Sequence, residues 1–349
     1  MLHGLSDSLL RKMNNFRTDP VGIVQRKVQS SFEPFNLWYR ETYGFRFSRP
    51  QYDLWRFLLN REPAKLYRIE RAHMMPSPVQ EQVINDLRTK GISVIHFEDL
   101  FPTQEISHLQ ALTQMYLQKS PIREIIKAME AGVDYAKANP LAPSGKSYLV
   151  PLLGQTPVFD VNDSFMQLCL SPELLRIASG YLQMFPRLLH IALWCNMPMA
   201  GPDIRSQRWH RDPEDRRMVK VFMYLEDVAE HNGPFCYIPE TQTGSRFGKV
   251  YRQGIDRYNY PPDGAIDGIL PVQPQICTGR AGTIVFCDTS GFHKGGHVTS
   301  GRRLLFLASY ATSGSSWVIR RVKSYSVVGS GSTALSPAAK YALRGALSP

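Results

Sequence analysis

Between Trp209 and Pro239 the chain reads W-H-R-D-P-E-D-R-R-M-V-K-V-F-M-Y-L-E-D-V-A-E-H-N-G-P-F-C-Y-I-P, and few folds accommodate that order of residues. His210 and Asp212 are separated by one residue. On an extended backbone, residues i and i+2 point to the same side, so an imidazole and a carboxylate here can converge on one ion. Met218 to Leu225 follows with the period-2 alternation of a strand, and Asn232-Gly233-Pro234 is a strong turn signal. The pattern predicts a β-hairpin with the His-Asp pair at its mouth. The alternation puts Val221, Met223 and Leu225 on one face and Lys220, Phe222 and Tyr224 on the other. A lysine on such a strand either lies at an open edge or reaches into a pocket, where it can pair with an anionic co-substrate or substrate.

A second stretch complements the first. Gly282 to Tyr310 reads G-T-I-V-F-C-D-T-S-G-F-H-K-G-G-H-V-T-S-G-R-R-L-L-F-L-A-S-Y. An apolar strand, Thr283 to Phe286, leads to His293, and after a glycine-rich turn a second strand runs from Arg303 to Tyr310. His293 can supply a third ligand. Two histidines and one carboxylate, with coordination positions left open, form the facial triad of non-haem Fe(II) oxygenases. His297 rivals His293, but lies inside the turn. His231 falls in the predicted hairpin turn, and the remaining histidines read as structural. Arg302 and Arg303 are neighbours and so point to opposite faces of their strand. A guanidinium at Arg303, where the closing strand begins, can hold a carboxylate bidentately.

In order and type, R-W-H-R-D, Y-L-E-D-V, N-G-P-F-C-Y-I-P and F-H-K-G-G resemble the phytanoyl-CoA dioxygenase family of Fe(II)/2-oxoglutarate oxygenases. The resemblance spans roughly Val79 to Ser316 and is sharpest over 205–240 and 280–310. Where the family usually reads proline-glycine-serine-histidine after the turn, this chain has Pro239-Glu240-Thr241-Gln242. The resemblance implies a mainly β fold, a double-stranded β-helix or jelly-roll barrel flanked by α-helices. It implies Fe(II) on His210, Asp212 and His293, with 2-oxoglutarate and O2 as co-substrates. Arg303 would grip the far carboxylate of 2-oxoglutarate. The reaction implied is hydroxylation of a small molecule with release of succinate and CO2. Two alternatives remain open: a cupin-type metal oxygenase that does not use 2-oxoglutarate, and a metal-free binding module.

Composition bounds the rest. With 349 residues, 43 % of them hydrophobic, the chain can bury a large core. It has no apolar run of membrane-spanning length and no secretory h-region at its start. Five scattered cysteines without a CxxC pair read as reduced core thiols of a cytoplasmic protein. The net charge is +11, with +6 in residues 1–78 and +5 in 320–349, so the middle is neutral. Basic ends around a neutral core, without a nucleic-acid-binding signature, argue against nucleic acid as partner.

These features predict three regions: a helical extension over 1–78, the barrel over 79–319 and a basic flexible tail over 320–349. In the extension, Val21–Val28, Phe35–Tyr43 and Gln51–Leu59 have helical spacing, interrupted by Pro50 and Pro63. In the barrel region Gln80–Lys90, Thr103–Leu117, Ile122–Lys137 and Ser171–Leu182 are predicted helices. Asn139–Gly154, which contains Lys146 and Tyr148, reads as a solvated loop. Thr241–Pro274 is long and holds Arg246, Lys249, Tyr251, Arg252, Arg257, Tyr258 and Tyr260. Such a segment is expected to be a lid over the barrel mouth, and its tyrosines and arginines point to an anionic or aromatic substrate.

Overall fold

The structure is a computed structural model, and it describes residues 48–346 except 144, 254–259, 263, 267–271, 320–321, 323 and 329–334. The predicted helices Val21–Val28 and Phe35–Tyr43 lie outside these residues. The chain divides into two compact units, Met1–Leu58 and Leu59–Pro349. In the first unit the described residues are helical.

The strands are β1 (Ile92–His96), β2 (Leu149–Pro151), β3 (Val158–Asp160), β4 (Arg187–Asn196), β5 (Met218–Tyr224), β6 (Phe235–Tyr237), β7 (Gln275–Cys277), β8 (Thr283–Cys287), β9 (His293–Gly295), β10 (Arg303–Ala311) and β11 (Ser326–Val328). One six-stranded sheet has the order β1-β8-β5-β10-β4-β2, and a three-stranded sheet has the order β7-β6-β9. An isolated antiparallel bridge between His210 and His293 adds the His-x-Asp segment beside β9. From β4 onward the chain therefore alternates between sheets. It runs from the large sheet (β4) to the small (His210), back to the large (β5) and on to the small (β6, β7). It then passes through β8, β9 and β10 in the large, small and large sheets. This alternation is a double-stranded β-helix, as expected.

The predicted hairpin is not present. β5 and β6 do not pair: β5 lies between β10 and β8, and β6 between β7 and β9. The turn signal is real, with Gly233 at φ +65. It carries the chain across from one sheet to the other, because each strand finds its partners far away in sequence.

The helices are α1 (Ser48–Glu70), α2 (Pro78–Thr89), α3 (Thr103–Gln118), α4 (Ile122–Glu130), α5 (Tyr135–Ala138), α6 (Ser164–Leu170), α7 (Pro172–Leu182), α8 (Ser316–Ile319) and α9 (Pro337–Ala342). α2 starts at Pro78, two residues before the predicted Gln80: Ser77 Oγ accepts from Gln80 N while Gln80 Oε1 accepts from Ser77 N, a reciprocal cap. α7 likewise begins at a Ser171 cap with Pro172 in its first turn. The predicted helix Ile122–Lys137 is broken. Gly132 takes φ +80, and the chain restarts at Asp134, whose Oδ1 accepts from the N–H groups of Ala136 and Lys137. α1 continues through Pro63, where an interruption was expected.

Two cores follow from strand alternation. On the outer face of the large sheet Val221, Met223, Phe306 and Tyr310 pack with Val83, Leu87, Phe165 and Leu175 from the helices. Between the sheets Phe222, Tyr224, Leu305 and Leu307 meet Phe235 and Tyr237. Each such side chain, fully buried, contributes about 1.5–3 kcal/mol. The outer core also takes in Ala338, Ala339, Tyr341 and Leu343. Residues 337–343 are therefore packed structure and not the flexible tail expected of 320–349. A contact crosses the predicted 78/79 boundary: Asn60 Nδ2 donates to Thr312 Oγ1 at 3.2 Å. Among the described residues, no helix is long and apolar enough to cross a membrane.

Candidate metal centre

His210 and His293 face each other across their bridge, each backbone N–H donating to the other's carbonyl at 3.0 Å. That pairing sets the two rings 4.2 Å apart. Two residues on, Asp212 points to the same side. Its Oδ2 lies 3.3 Å from His293 Nε2, and its Oδ1 lies 3.7 Å from His210 Nε2. One donor atom from each of the three falls within 4.8 Å of the others. The predicted trio is thus brought together.

The protonation pattern follows from the neighbours. His210 Nδ1 meets the carbonyl of Arg208 at 2.8 Å, and His293 Nδ1 meets that of Gly291 at 3.0 Å. A carbonyl only accepts, so both Nδ1 atoms carry a hydrogen, and both Nε2 atoms are turned toward Asp212. Burial, with His293 nearby, pulls the His210 pKa down to about 3, which keeps that ring neutral. Two imidazole Nε2 atoms and a carboxylate converge there. Such a donor set fits a divalent cation.

Lys220 enters the pocket from β5, but its ammonium is engaged. Nζ donates to Asp212 Oδ2 at 2.6 Å and to Glu214 Oε1 at 3.0 Å. Its charge is met by these two acids, so nothing in this geometry supports direct contact with a co-substrate. Burial opposes charge at Lys220, yet Asp212 and Glu214 outweigh it and raise the pKa. Asp212 is held well below the usual carboxylate range: burial works against this, and Lys220 and His293 prevail. Glu214 was not singled out from sequence, though the i, i+2 spacing from His210 through Asp212 extends to it.

Across the cavity lies Arg303. It is 4 % exposed, and its Nε and Nη1 are buried without a hydrogen-bond partner. Burial lowers its pKa, with only Tyr224, Tyr148 and Cys236 opposing. Arg302 points to the other face, where Nε donates to Glu226 Oε2 at 3.0 Å. The predicted choice between the two arginines agrees with this register. The cavity of about 90 Å³ that links the two ends is lined by Lys146, Tyr148, Trp194, Phe222 and Phe235, among others. Lys146 and Tyr148 therefore do not lie in a solvated loop. β2 pairs with β4 at the edge of the large sheet and carries them to the cavity, a long-range pairing that the Pro/Gly/Ser-rich sequence does not signal. Tyr148 Oη and Ser206 Oγ are 2.8 Å apart.

Part of the long segment after Thr241 reaches the site. Tyr260 stacks on His210 at 5.2 Å, and Gln253 Nε2 donates to the carbonyls of Asp212 and Asp215. Arg257 and Tyr258 lie outside the described residues. His297 Nδ1 sits 3.1 Å from Asp203 Oδ1, apart from the trio, and His231 is exposed. Gln207 Oε1 accepts from Ile204 N, and Trp209 packs beside Ile238 and Phe292.

Residues 92–304, more than half of the chain, match the family model described as Phytanoyl-CoA dioxygenase (PhyH). No curated protein matches the chain. Among solved structures it is similar to the epimerase SnoN in complex with Fe3+, alpha ketoglutarate and nogalamycin RO. There the identity is 14 % over 67 % of this chain and 84 % of that one, with a TM-score of 0.48. It is also similar to the non-heme alpha ketoglutarate dependent carbocyclase SnoK from nogalamycin biosynthesis, at 16 % identity over 67 % and 86 %, TM-score 0.45. A third is EctD from S. alaskensis with bound Fe, at 17 % identity over 68 % and 76 %, TM-score 0.44.

Proposed function

The chain belongs to the phytanoyl-CoA dioxygenase family, and on that premise we propose that it is an Fe(II)/2-oxoglutarate-dependent dioxygenase that hydroxylates a small molecule and releases succinate and CO2. The observation that carries this reading is the pairing of two half-sites in one cavity. The cavity holds two imidazoles and a carboxylate that can serve as metal donors, and a buried guanidinium with two nitrogens left without a partner. A buried guanidinium in that state calls for an anion. The cupin-type alternative has no use for such a group, and a metal-free binding module has no use for the complete donor set.

His210, Asp212 and His293 would hold the metal. Iron bound there, with 2-oxoglutarate and O2, supplies the oxidising chemistry. The protein's own groups position and shield. The Nδ1–H bonds to Arg208 and Gly291 fix both imidazoles, and Lys220 fixes the Asp212 carboxylate. Arg303 would bind the far carboxylate of 2-oxoglutarate. Phe222, Leu305 and Leu307 form an apolar wall that keeps water from the reacting groups.

The substrate is proposed to be anionic or aromatic. Lys146 lines the cavity and has no ion-pair partner among the described residues, and burial, with Lys220 nearby, lowers its pKa. Trp194, Phe222 and Phe235 offer flat apolar contact. The test is a succinate-release screen against a metabolite library, supplied with Fe(II) and 2-oxoglutarate. Succinate formation that depends on both, with a substrate product heavier by one oxygen, is expected. Substrate oxidation that proceeds equally without 2-oxoglutarate would favour the cupin-type alternative.

A further inference from the structure

Glu214 is buried and Asp212 half-buried, and both accept from one Nζ, that of Lys220, at 2.6 and 3.0 Å. Among the described residues no other ammonium or guanidinium hydrogen-bonds either carboxylate. Glu214 Oε2 is buried without any partner. Two carboxylates this close repel each other, and a buried charge is costly unless paired. The lysine rises from the middle of β5, opposite Cys287 and Ser309, where the other inward side chains of that strand are Phe222 and Tyr224. A cation in such a row answers a charge and not a packing need.

We propose that Lys220 is a resident counter-cation: it holds Asp212 and the metal centre in their folded arrangement when no metal is bound. It is a positioning residue for Asp212, and this role rests on reading Asp212 as a metal ligand. Lys220 sets one ammonium between two carboxyl groups that face no other cation at hydrogen-bond distance among the described residues. A divalent ion at the trio compensates the acids in its turn and is repelled by the ammonium. The lysine therefore stabilises the metal-free state at the expense of metal affinity.

The test is thermal unfolding of the full chain, metal-free in chelator and with Mn(II) added, a divalent ion that does not oxidise readily. In chelator, Lys220→Met should melt roughly 5–10 °C below the parent, as expected for a broken buried pair in a domain of this size. Mn(II) should raise the melting temperature of Lys220→Met more than that of the parent, narrowing the gap. Lys220→Met combined with Glu214→Gln should melt above Lys220→Met alone in chelator, because one of the two repelling charges is gone. If the gap is the same with and without Mn(II), or if Glu214→Gln lowers stability further in that background, Lys220 serves packing alone and the proposal is overturned. If Lys220→Met is unfolded in chelator, refolding on Mn(II) supports the proposal. Failure to fold with Mn(II), shared by the double variant, overturns it. If Mn(II) does not shift even the parent, or shifts Asp212→Ala equally, the ligand reading itself fails and the proposal with it.

Discussion

At Asp212 three neighbours meet one side chain: two imidazole Nε2 atoms and the Lys220 ammonium. Removing any ligand takes away a donor that nothing adjacent replaces. Alanine at His210, Asp212 or His293 should weaken metal binding by at least about 100-fold, more than is typical when a ligand's supporting partner is lost. Metal content after dialysis checks this, and full occupancy in Asp212→Ala would contradict it. The trio was legible from sequence because its geometry is local: i, i+2 spacing on extended backbone, then a histidine ending an apolar strand. Lys146 and Tyr148 were not legible, since their place is set by β2 pairing with Trp194–Asn196. Glu214 was overlooked because its burial depends on Lys220, which approaches from a different strand.

At the scale of elements, strand periodicity was informative and strand partnership was not. Val221 and Lys220 point to opposite faces of β5 as the alternation requires, yet β5 pairs with β10 and β8 and not with β6. Asn232-Gly233 marks a reversal without saying whether the flanking strands pair or cross over. Gly233 is needed there: it adopts φ +65, and a Cβ would come within 2.4 Å of the Gly296 carbonyl oxygen. Both partners are backbone, so Gly233→Ala should destabilise the fold by about 1–3 kcal/mol. Urea unfolding measures this, and a neutral result would mean that the crossover is looser than described. The α9 segment was misread as a tail because its burial depends on distant partners. Leu343 is fully buried, so Leu343→Ala should cost about 2–5 kcal/mol. A free tail would show no change in the same unfolding curve.

For the molecule as a whole, the two cores take in four of the five thiols, Cys169, Cys195, Cys277 and Cys287, and Cys236 on β6 is 8 % exposed. All five cysteines are free and buried, and burial pushes Cys195 and Cys277 up to about 12. A thiol reagent should therefore label the native protein slowly and reach all five on unfolding. Fast labelling of the native protein would contradict this packing. The sheets that bury these thiols also set the donor trio and Arg303 at opposite ends of one cavity. Anaerobic calorimetric titration of 2-oxoglutarate into the Fe(II)-loaded protein tests that arrangement most directly. The parent and Arg302→Ala should bind one equivalent with similar affinity, because Arg302 pairs with Glu226 on the other face. Arg303→Ala should bind about 30- to 1000-fold more weakly, the equivalent of roughly 2–5 kcal/mol for a broken buried charge pair. Binding that is lost in Arg302→Ala and kept in Arg303→Ala, or absent from the parent, would contradict the account.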